Sequence, residues 1–519
     1  MTESIVSNAR LQSIGGRPAT VALLLFSWLA WTANFRALTL PDEARYSTIA
    51  WAMLRSGDWL TPSLNGLPFF HKPPLYYWLA AIGQQLLGAS VLAVRLPSLL
   101  GATAGCMALW QLARLRVGSQ VALWTLLVLA TTSLFYAGAQ VASPDMLVDG
   151  CIAITIALLA ESTLRAEEGR PNRRMVAAGW AAAALGVLAK GLIAWVIPGM
   201  VLVAWLLITG RARLGRTLIS AFGLLIFVAI GAPWFIAMEL LHPGFARYFF
   251  VHHHFERFVG SGFNSVRAWW FYLVALPLFT LPWFPWLLVS AWRSRLLSSS
   301  RENPLRALMW VWLIVVLLFF SIPQSKPVGY LEPALFPVAY LAADAICAAH
   351  SRGTLLPKIM VGIGAVICVA YIATSGLTYD LDNRKLARSL AALRRPGDPV
   401  VFVDAYYYDI PMYAELDQPV KVASDWQDPE LASHDDWRRE LVEAAAFVPA
   451  GGTSNLVDHR DALHPLCDHA LWVVAPSGSP ITEGAGDSFA RIFESNHAVL
   501  WRVAPRKCQA YPHASKADE

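Results

Sequence analysis

Apolar residues occupy long, nearly continuous blocks along the first 378 residues, and short polar loops separate these blocks. Val21–Ala33, Val121–Leu129 and Leu313–Phe320 are examples. Because a bilayer-spanning helix needs roughly 20 mostly apolar residues, the pattern predicts a membrane protein of about 11 to 13 transmembrane helices. The eleven predicted spans lie near residues 19–39, 94–114, 119–139, 146–164, 175–189, 191–209, 217–240, 268–292, 307–322, 331–349 and 359–378.

The segment Pro73–Gly88 decides the predicted topology, because it is apolar but short and contains Gln84 and Gln85. If it lies in the membrane interface, the N-terminus and the alternate loops on its side carry 17 Lys and Arg residues. The opposite loops are longer and carry about 8. Since cytoplasmic loops are enriched in Lys and Arg, we expect an interfacial helix here. The N-terminus is then cytoplasmic, and the residues after the last span are not.

From Tyr379 onward the pattern becomes that of a soluble domain. Pro399–Asp404 and Ala470–Pro476 have the pattern of buried strands, and Asn383–Arg395 has that of an amphipathic helix. We therefore expect a small α/β domain over residues 379–519, outside the cytoplasm. That compartment permits a disulfide between Cys467 and Cys508, and two unpaired thiols are the alternative.

Composition supports a membrane protein and argues against a nucleic-acid-binding protein. Only 15% of the residues are charged and the mean hydropathy is +0.46, whereas soluble domains carry about 25% charged residues. The net charge of +5 is small for 519 residues. No basic stretch is interleaved with polar or aromatic residues, as a nucleic-acid surface requires.

Charged residues gather in loops that the topology places on the non-cytoplasmic face. Charges at the edge of a bilayer are costly unless they are paired or functional. Acids beside several cations therefore suggest a site that binds an anion and positions a nucleophile, with Asp42, Glu43 and Asp145 as candidate catalytic acids. The clusters are 41–46, 57–59, 71–75, 143–145, 252–258 and 325–330.

Each of these residues also has a purely structural interpretation. Asp42 could cap the helix that begins near Glu43, and Arg45 and Lys72 could extend to the lipid headgroups. Lys190 precedes Gly191, and we expect a tight external turn whose lysine also reaches the headgroups. Convergence on one face favours function for the clusters as a group.

The motifs, in this order, resemble those of the bacterial aminoarabinose (undecaprenyl phosphate-α-L-Ara4N) transferases and their protein O-mannosyltransferase relatives, which are GT-C-type glycosyltransferases. The resemblance covers the membrane part, about 375 residues. It rests on the acidic pair before Arg-Tyr at 42–46, Gly-Asp-Trp at 57–59, Lys-Pro-Pro-Leu at 72–75, Ser-Pro-Asp at 143–145, Arg-Phe at 257–258 and Ser-Lys-x-x-x-Tyr-x-x-Pro at 325–333.

The resemblance implies a transmembrane glycosyltransferase domain over 1–378, with a large first external loop at about 40–93 that bears interfacial helices. It also implies inverting transfer from an undecaprenyl-phosphate-sugar donor at the periplasmic face of a bacterial inner membrane. By match, Asp42 is the first-loop acid and Asp145 the second. The matched donor-phosphate-binding residues are Arg45, Lys72, Arg257, Lys326 and Tyr330.

One departure from the family pattern concerns a metal. The family often has Glu where this chain has His71, and in the transferases that Glu can share a metal with a histidine that His252 matches. Because imidazole is a good zinc ligand, His71 and His252 either form a zinc site or mark its loss.

The leading hypothesis is transfer of 4-amino-4-deoxy-L-arabinose to lipid A or a related envelope acceptor. Transfer of a hexose or mannose to a protein or glycan is the first alternative. A lipid-linked sugar transporter is less favoured, because transporters often show inverted repeats and charges at mid-membrane. This chain has no evident repeat, and its acids and cations lie in loops. The expected partners are the donor, the acceptor and membrane lipids, and no nucleic acid.

Overall fold

A computed structural model of the chain describes residues 17–256, 266–294, 302–349, 355–379, 381–429, 431, 436–448, 455–463, 468–479 and 489–505. Arg257, Cys467 and Cys508 lie outside the described residues, so the predicted disulfide and the role of Arg257 stay predictions. The chain divides into two compact units. The first comprises residues 1–38, 58–62 and 70–379, and the second comprises 39–57, 63–69 and 380–519.

The chain up to residue 116 forms two short helices around a loop, and then a long helix. In order these elements are α1 (Pro18–Ala30), α2 (Asp42–Ser56), the hairpin of β1 (Ser63–Leu64) and β2 (Leu67–Pro68), α3 (Leu75–Leu87) and α4 (Val91–Arg116). The short helix expected at Pro73–Gly88 is therefore confirmed as α3.

The first predicted span, 19–39, is too long, because α1 ends at Ala30. Beyond that end, the buried guanidinium of Arg95 supplies hydrogen bonds that a continued helix would have made. It donates to the backbone carbonyls of Ala33 at 2.6 Å, Arg36 at 3.1 Å and Ala37 at 3.0 Å. A charged donor satisfies an irregular chain segment that would otherwise bury unpaired carbonyls.

The remaining membrane part is helical, and each later predicted span coincides with a helix or a bent pair of helices. The helices are α5 (Ser119–Ala130), α6 (Ser133–Ala139), α7 (Pro144–Glu167), α8 (Arg173–Lys190), α9 (Ile193–Ile208), α10 (Ala221–Leu241), α11 (Phe271–Phe279), α12 (Phe284–Ser294), α13 (Pro304–Ser321), α14 (Glu332–Ala349) and α15 (Leu355–Thr378).

By length and composition, six of the described helices can cross a membrane, or eight if each bent pair is one span. The bent pairs are α5 with α6, at 71°, and α11 with α12, at 112°. Helices α1 and α9 are shorter apolar helices. The prediction of an integral membrane protein with many spanning helices is confirmed.

Helix α7 lies at the centre of the first unit, where it packs against α4 and α8. An apolar 18-residue stretch of α7 is 89% buried inside the protein, whereas the corresponding stretch of α10 is 22% buried. Close approach to α4 depends on two glycines that face each other: a Cβ on Gly150 would lie 2.2 Å from the carbonyl oxygen of Gly101. Small residues allow membrane helices to pack with their backbones nearly in contact.

The second unit contains a six-stranded sheet in the order β5-β4-β3-β6-β8-β7. The strands are β3 (Val400–Val403), β4 (Lys421–Ala423), β5 (Leu456–Val457), β6 (Leu471–Pro476), β7 (Phe489–Glu494) and β8 (Ala498–Val503), and the helices are α16 (Arg384–Leu393), α17 (Ile410–Tyr413), α18 (Trp437–Ala445) and α19 (His459–Ala462). Strands β3 to β6 are mutually parallel, and β8 pairs antiparallel with β6 and β7. The α/β prediction is confirmed, with α16, β3 and β6 at the expected places.

The loop after β3 is a packed aromatic segment that ends in a buried carboxylate. Tyr406, Tyr407 and Tyr408 are buried, and Asp409 accepts hydrogen bonds from the backbone nitrogen (3.3 Å) and Nδ2 (3.0 Å) of Asn383. Burial raises the pKa of Asp409 to about 6, although the Asn383 bonds act in the opposite direction.

The Asp409 carboxyl should make the second unit more stable in mild acid. Its folded pKa is raised above the ordinary 3.8, so folding favours the protonated form and stability falls as pH rises from 4 through 6. A shift of this size corresponds to about 3 kcal/mol. We expect the melting temperature of wild type, relative to that of Asp409→Asn, to fall between pH 4 and pH 7. A constant difference across this range would contradict the assignment, and exposed Asp417→Asn is the control.

Gly150→Ala should weaken the packing of α7 on α4, because the new methyl group meets backbone and not a flexible side chain. We expect a loss of about 1–3 kcal/mol and a lower melting temperature of the purified protein. Gly199→Ala in α9 is the matched control, since its Cβ meets nothing within 4 Å. Equal melting temperatures for the two variants would refute the close approach.

Candidate functional site

Asp42 and Glu43 open helix α2 but lie in different environments. Asp42 has a side chain 69% exposed, and it accepts a hydrogen bond at 2.5 Å from Arg45, one helical turn later. It makes no capping hydrogen bond, and the residue at the cap position is Pro41. The capping interpretation is therefore not supported, and Asp42 is the acid of the pair that a substrate can reach.

Glu43 is fully buried. Its Oε2 accepts hydrogen bonds from the backbone nitrogen of Thr39 at 2.9 Å and from its hydroxyl at 3.0 Å. A carboxylate that satisfies backbone donors just before a helix fixes the entry of the chain into that helix. This geometry supports a structural role for Glu43 and leaves its predicted catalytic role as a hypothesis.

Arg45, whose side chain is 12% exposed, lies between two carboxylates and two aromatic rings. One terminal nitrogen bonds Asp42, and the other bonds Glu440 of α18. The guanidinium also lies 5.8 Å from the ring of Tyr46 and 5.9 Å from that of Tyr408. Burial alone would lower the pKa of Arg45, but the Glu440 carboxylate and the neighbouring groups raise it above its ordinary value. Arg45 therefore stays charged, and its geometry suits the positioning of Asp42.

Helix α2 and the hairpin after it are held by the second unit, to which they belong. Trp51 donates from Nε1 to the carbonyl of Leu416 at 3.0 Å. Asn65 donates to the carbonyl of Val420 at 2.9 Å and accepts from its nitrogen at 2.8 Å. Reciprocal side-chain to backbone bonds of this kind fix both position and orientation. The acid of the first loop is thus positioned by residues distant in sequence.

A small cavity in the first unit brings an acid, a cation and a tyrosine together. Ser143 caps α7 and its hydroxyl donates to Asp145 Oδ2 at 2.8 Å. Asp145 Oδ1 bonds the ammonium of Lys190, the last residue of α8. That ammonium lies 4.9 Å from the centre of the Tyr330 ring. Asp145, Lys190 and Tyr330 all line the cavity.

Two further buried carboxyl groups lie behind this cluster. Asp149 follows Asp145 by one turn of α7 and also lines the cavity, and Glu332 begins α14. Glu332 interacts electrostatically with both Asp149 and Lys190. Lys190 therefore lies among three acids, two of which line the cavity with it.

The predicted donor-phosphate residues do not all meet in this cavity. Lys326 is buried, and its ammonium donates to the backbone carbonyls of Arg267 (3.1 Å) and Pro323. Lys72 is half-buried in the loop before α3. The geometry of Lys326 supports a role in shaping its own loop, and a phosphate contact stays a prediction for both lysines.

His71 and His252, the two histidines predicted to share a zinc ion, each contact the ring of Tyr248. The ring of Tyr248 is 6.3 Å from that of His71 and stacks at 5.7 Å on that of His252. Within the described part of the chain, no group of three His, Cys, Asp or Glu side chains is arranged to hold a metal. The zinc site stays a prediction, and no step of the chemistry below depends on it.

Sequence reasoning missed Lys190, Glu440 and Tyr408 as members of these clusters. Lys190 was expected to reach the lipid headgroups, but it pairs with Asp145, 45 residues earlier. Its position at the end of α8, opposite the start of α7, was the available signal. Glu440 lies 395 residues from Arg45, and no local pattern marks it.

Residues 71–236 match the family described as dolichyl-phosphate-mannose-protein mannosyltransferase. The chain is 31% identical over 394 residues to undecaprenyl phosphate-alpha-4-amino-4-deoxy-L-arabinose arabinosyl transferase 2 of Pseudomonas fluorescens Pf-5, covering 73% of this chain and 65% of that relative. It is 31% identical over 377 residues to the corresponding transferase of Pseudomonas aeruginosa LESB58, covering 69% and 66%. These alignments thus span slightly less than two thirds of each relative's length.

The fold also matches a solved structure over nearly its full length. That structure is the crystal structure of ArnT from Cupriavidus metallidurans bound to undecaprenyl phosphate, with a TM-score of 0.76 and 22% identity. The match covers 94% of this chain and 98% of the other. At this identity the comparison establishes the fold.

The Arg45–Glu440 pair should stabilise the second unit far more than the exposed Arg55–Asp417 pair, which also joins α2 to the rest of that unit. The side chains of Arg45 and Glu440 are 12% and 13% exposed, against 45% and 56% for Arg55 and Asp417. We expect Glu440→Ala to destabilise by about 3 kcal/mol or more and Asp417→Ala by at most about 1 kcal/mol.

A double-mutant cycle in thermal unfolding tests the contact itself. If the two side chains act through each other, Arg45→Ala combined with Glu440→Ala costs less than the sum of the single changes. Strict additivity would show that the pair does not interact in the folded protein.

Proposed function

We propose that the chain, which is similar to aminoarabinose transferases and matches the protein mannosyltransferase family over residues 71–236, transfers a sugar from undecaprenyl phosphate to lipid A or a related envelope acceptor. The sugar we favour is 4-amino-4-deoxy-L-arabinose, and the site faces the periplasm of a bacterial inner membrane. The relatives named for this activity support the choice of donor and sugar. The observation that carries the proposal is the Asp145–Lys190–Tyr330 cluster in its cavity.

The chemistry requires a cation where negative charge develops. In the transfer, an acceptor oxygen forms a bond to the anomeric carbon. The bond from that carbon to the donor phosphate oxygen breaks, and its electron pair leaves with undecaprenyl phosphate. Cations placed near that oxygen stabilise the transition state more than the ground state. Lys190 serves this role in our proposal, with Tyr330 as a hydrogen-bond donor and with Lys72 and Arg257 as further phosphate ligands.

The acids act on the other partners of the reaction. A phosphate of lipid A is already anionic and needs no general base, whereas a hydroxyl acceptor would give its proton to a carboxylate. We propose that Asp42 holds the sugar or stabilises positive charge at its anomeric carbon. The ammonium group of an amino sugar also pairs well with a carboxylate. Arg45 orients Asp42 through their 2.5 Å bond, and Asp145 holds Lys190 in the absence of donor.

A second candidate follows from the family match at residues 71–236. Relatives of that description carry mannose to protein, so a hexose or mannose donor and a protein acceptor form the main alternative. The cluster of acids and cations suits either donor, because undecaprenyl phosphate is the leaving group in both reactions. The acceptor and the sugar therefore have to be identified by assay.

The decisive assay uses the full-length protein in nanodiscs with labelled undecaprenyl-phosphate-aminoarabinose or undecaprenyl-phosphate-mannose, and with lipid A or a Ser/Thr-rich peptide as acceptor. We expect label from the aminoarabinose donor on lipid A. Transfer of mannose alone, or to peptide alone, would replace the lead function by the alternative. The absence of any transfer would reject both.

Asp42→Asn and Lys190→Met should each lower transfer by about 100-fold or more, because the first removes the charge proposed to act on the sugar and the second the charge proposed to act on the leaving phosphate. The exposed Asp42→Asn should keep the yield and melting temperature of wild type, whereas Lys190→Met leaves Asp145 unpaired and should lower the melting temperature, so transfer is compared per mole of folded protein. Lys358→Met is the matched control, since Lys358 is exposed on α15, and it should transfer normally. Full activity in Asp42→Asn or Lys190→Met would remove that residue from the mechanism.

A further inference from the structure

The second unit has the strand arrangement of a ligand-binding α/β domain. From β3 the chain proceeds outward to β4 and β5 and then returns to β6 on the other side of β3. The strand order therefore changes direction at β3, and all four strands are parallel. In open sheets of this kind, ligands bind beyond the carboxyl ends of the strands near such a change of direction.

Three side chains meet at that edge, and each follows a different strand. Asp404 comes directly after β3, Ser424 directly after β4, and His459 two residues after β5. Asp404 Oδ1 lies 2.7 Å from His459 Nε2 and 3.5 Å from the hydroxyl of Ser424. The side chains of Asp404 and His459 remain 41% and 33% exposed. Asp404 and His459 thus present an accessible polar pair at this edge, with the buried hydroxyl of Ser424 behind it.

The backbone at Asp404 also departs from ordinary strand geometry. Its φ is +51°, in the left-handed region that non-glycine residues seldom adopt. The backbone nitrogen of Asp404 is fixed by the carbonyl of Ala423 at 2.9 Å. Residues held in this region often occur at ligand sites, and here the conformation presents the carboxylate to His459.

Two tryptophans form an aromatic wall beside the cluster. Trp426 donates from Nε1 to the carbonyl of Val457, the last residue of β5, at 3.0 Å. That carbonyl also accepts from the nitrogen of Ser424. Trp437 meets Trp426 edge to face, with ring centres 5.8 Å apart. Both rings are half-buried, so part of each faces solvent.

We propose that this edge of the C-terminal sheet binds a saccharide. Sugar hydroxyls both donate and accept hydrogen bonds, which matches a carboxylate that only accepts and an imidazole that does either. Indole rings provide the apolar surface against which the C–H face of a pyranose packs, in a site with few polar groups. The site goes beyond the proposed transfer reaction and uses none of its candidate residues.

Other ligand classes fit less well. An anion such as phosphate would meet the carboxylates of Asp404 and of the exposed neighbours Asp425 and Asp458. A divalent metal would need a third ligand, and the described residues do not supply one at this edge. A neutral or amino sugar satisfies the cluster without these costs.

The experiment measures binding of a glucosamine disaccharide to the full-length protein in detergent by saturation-transfer NMR, with inorganic phosphate as the comparison ligand. We expect the disaccharide to bind and phosphate not to compete. Asp404→Asn, which tolerates the same backbone conformation, and His459→Gln should each weaken binding by about 10-fold or more. Trp437→Ala should weaken it as well.

The matched control is His469→Gln. His469 forms a second histidine–aspartate pair with Asp398, but at the amino ends of β3 and β6. This variant should bind the disaccharide as wild type does. No binding by wild type, equal binding by Asp404→Asn, or competition by phosphate would each overturn the proposal. Because transfer activity is measured separately, a protein that transfers sugar but binds no disaccharide would reject the saccharide site alone.

Acceptor kinetics then identify the source of the saccharide. If it belongs to the glycolipid acceptor, His459→Gln raises the KM for acceptor and leaves the KM for donor and kcat near wild type. If binding is lost while both KM values stay unchanged, the site serves a separate free glycan.

Discussion

The ion pair between Lys190 and Asp145 is the contact on which the membrane site depends. Lys190 ends α8 and Asp145 lies in the first turn of α7, so each charge is at the helix end whose dipole favours it. Joined to each other, the two groups are tolerated in an apolar bundle where either one alone would be costly. The close packing of α7 on α4 through Gly101 and Gly150 sets where this pair lies.

In the proposed reaction, the same pair would hold Lys190 ready for the donor phosphate. The ammonium of a lysine can turn its donors from a carboxylate oxygen to a phosphate oxygen. The Tyr330 ring lies against the ammonium of Lys190, and its tilted contact with the Phe320 ring, with centres 4.7 Å apart, restrains it. An anion that enters meets a cation already held in place, so little reorganisation is required when charge develops.

Features of the fold and of the site could be predicted where the residues responsible for them are close together in the sequence. The length of the hydrophobic blocks located the spans, because a membrane-spanning helix requires about 20 consecutive, mostly apolar residues. The early end of α1 was missed because its cause, Arg95, lies some 60 residues further on. The partners of Arg45 and Lys190 were missed for the same reason. A single domain boundary in the sequence also cannot describe the second unit, because that unit is discontinuous and includes α2 and the hairpin after it.

Asp42 and Glu43 are adjacent carboxylates, but their different environments suit them to different roles. Successive helical residues point about 100° apart, so one side chain turned inward leaves the next free to point outward. Glu43 accepts both Thr39 hydrogen bonds through Oε2, and its movement would leave two partly buried donors without that acceptor. Asp42 is exposed and pairs with Arg45, which Glu440 and Tyr408 hold in turn. Asp42, the acid of the proposed mechanism, is therefore accessible to a substrate, and the largely enclosed side chain of Arg45 orients it.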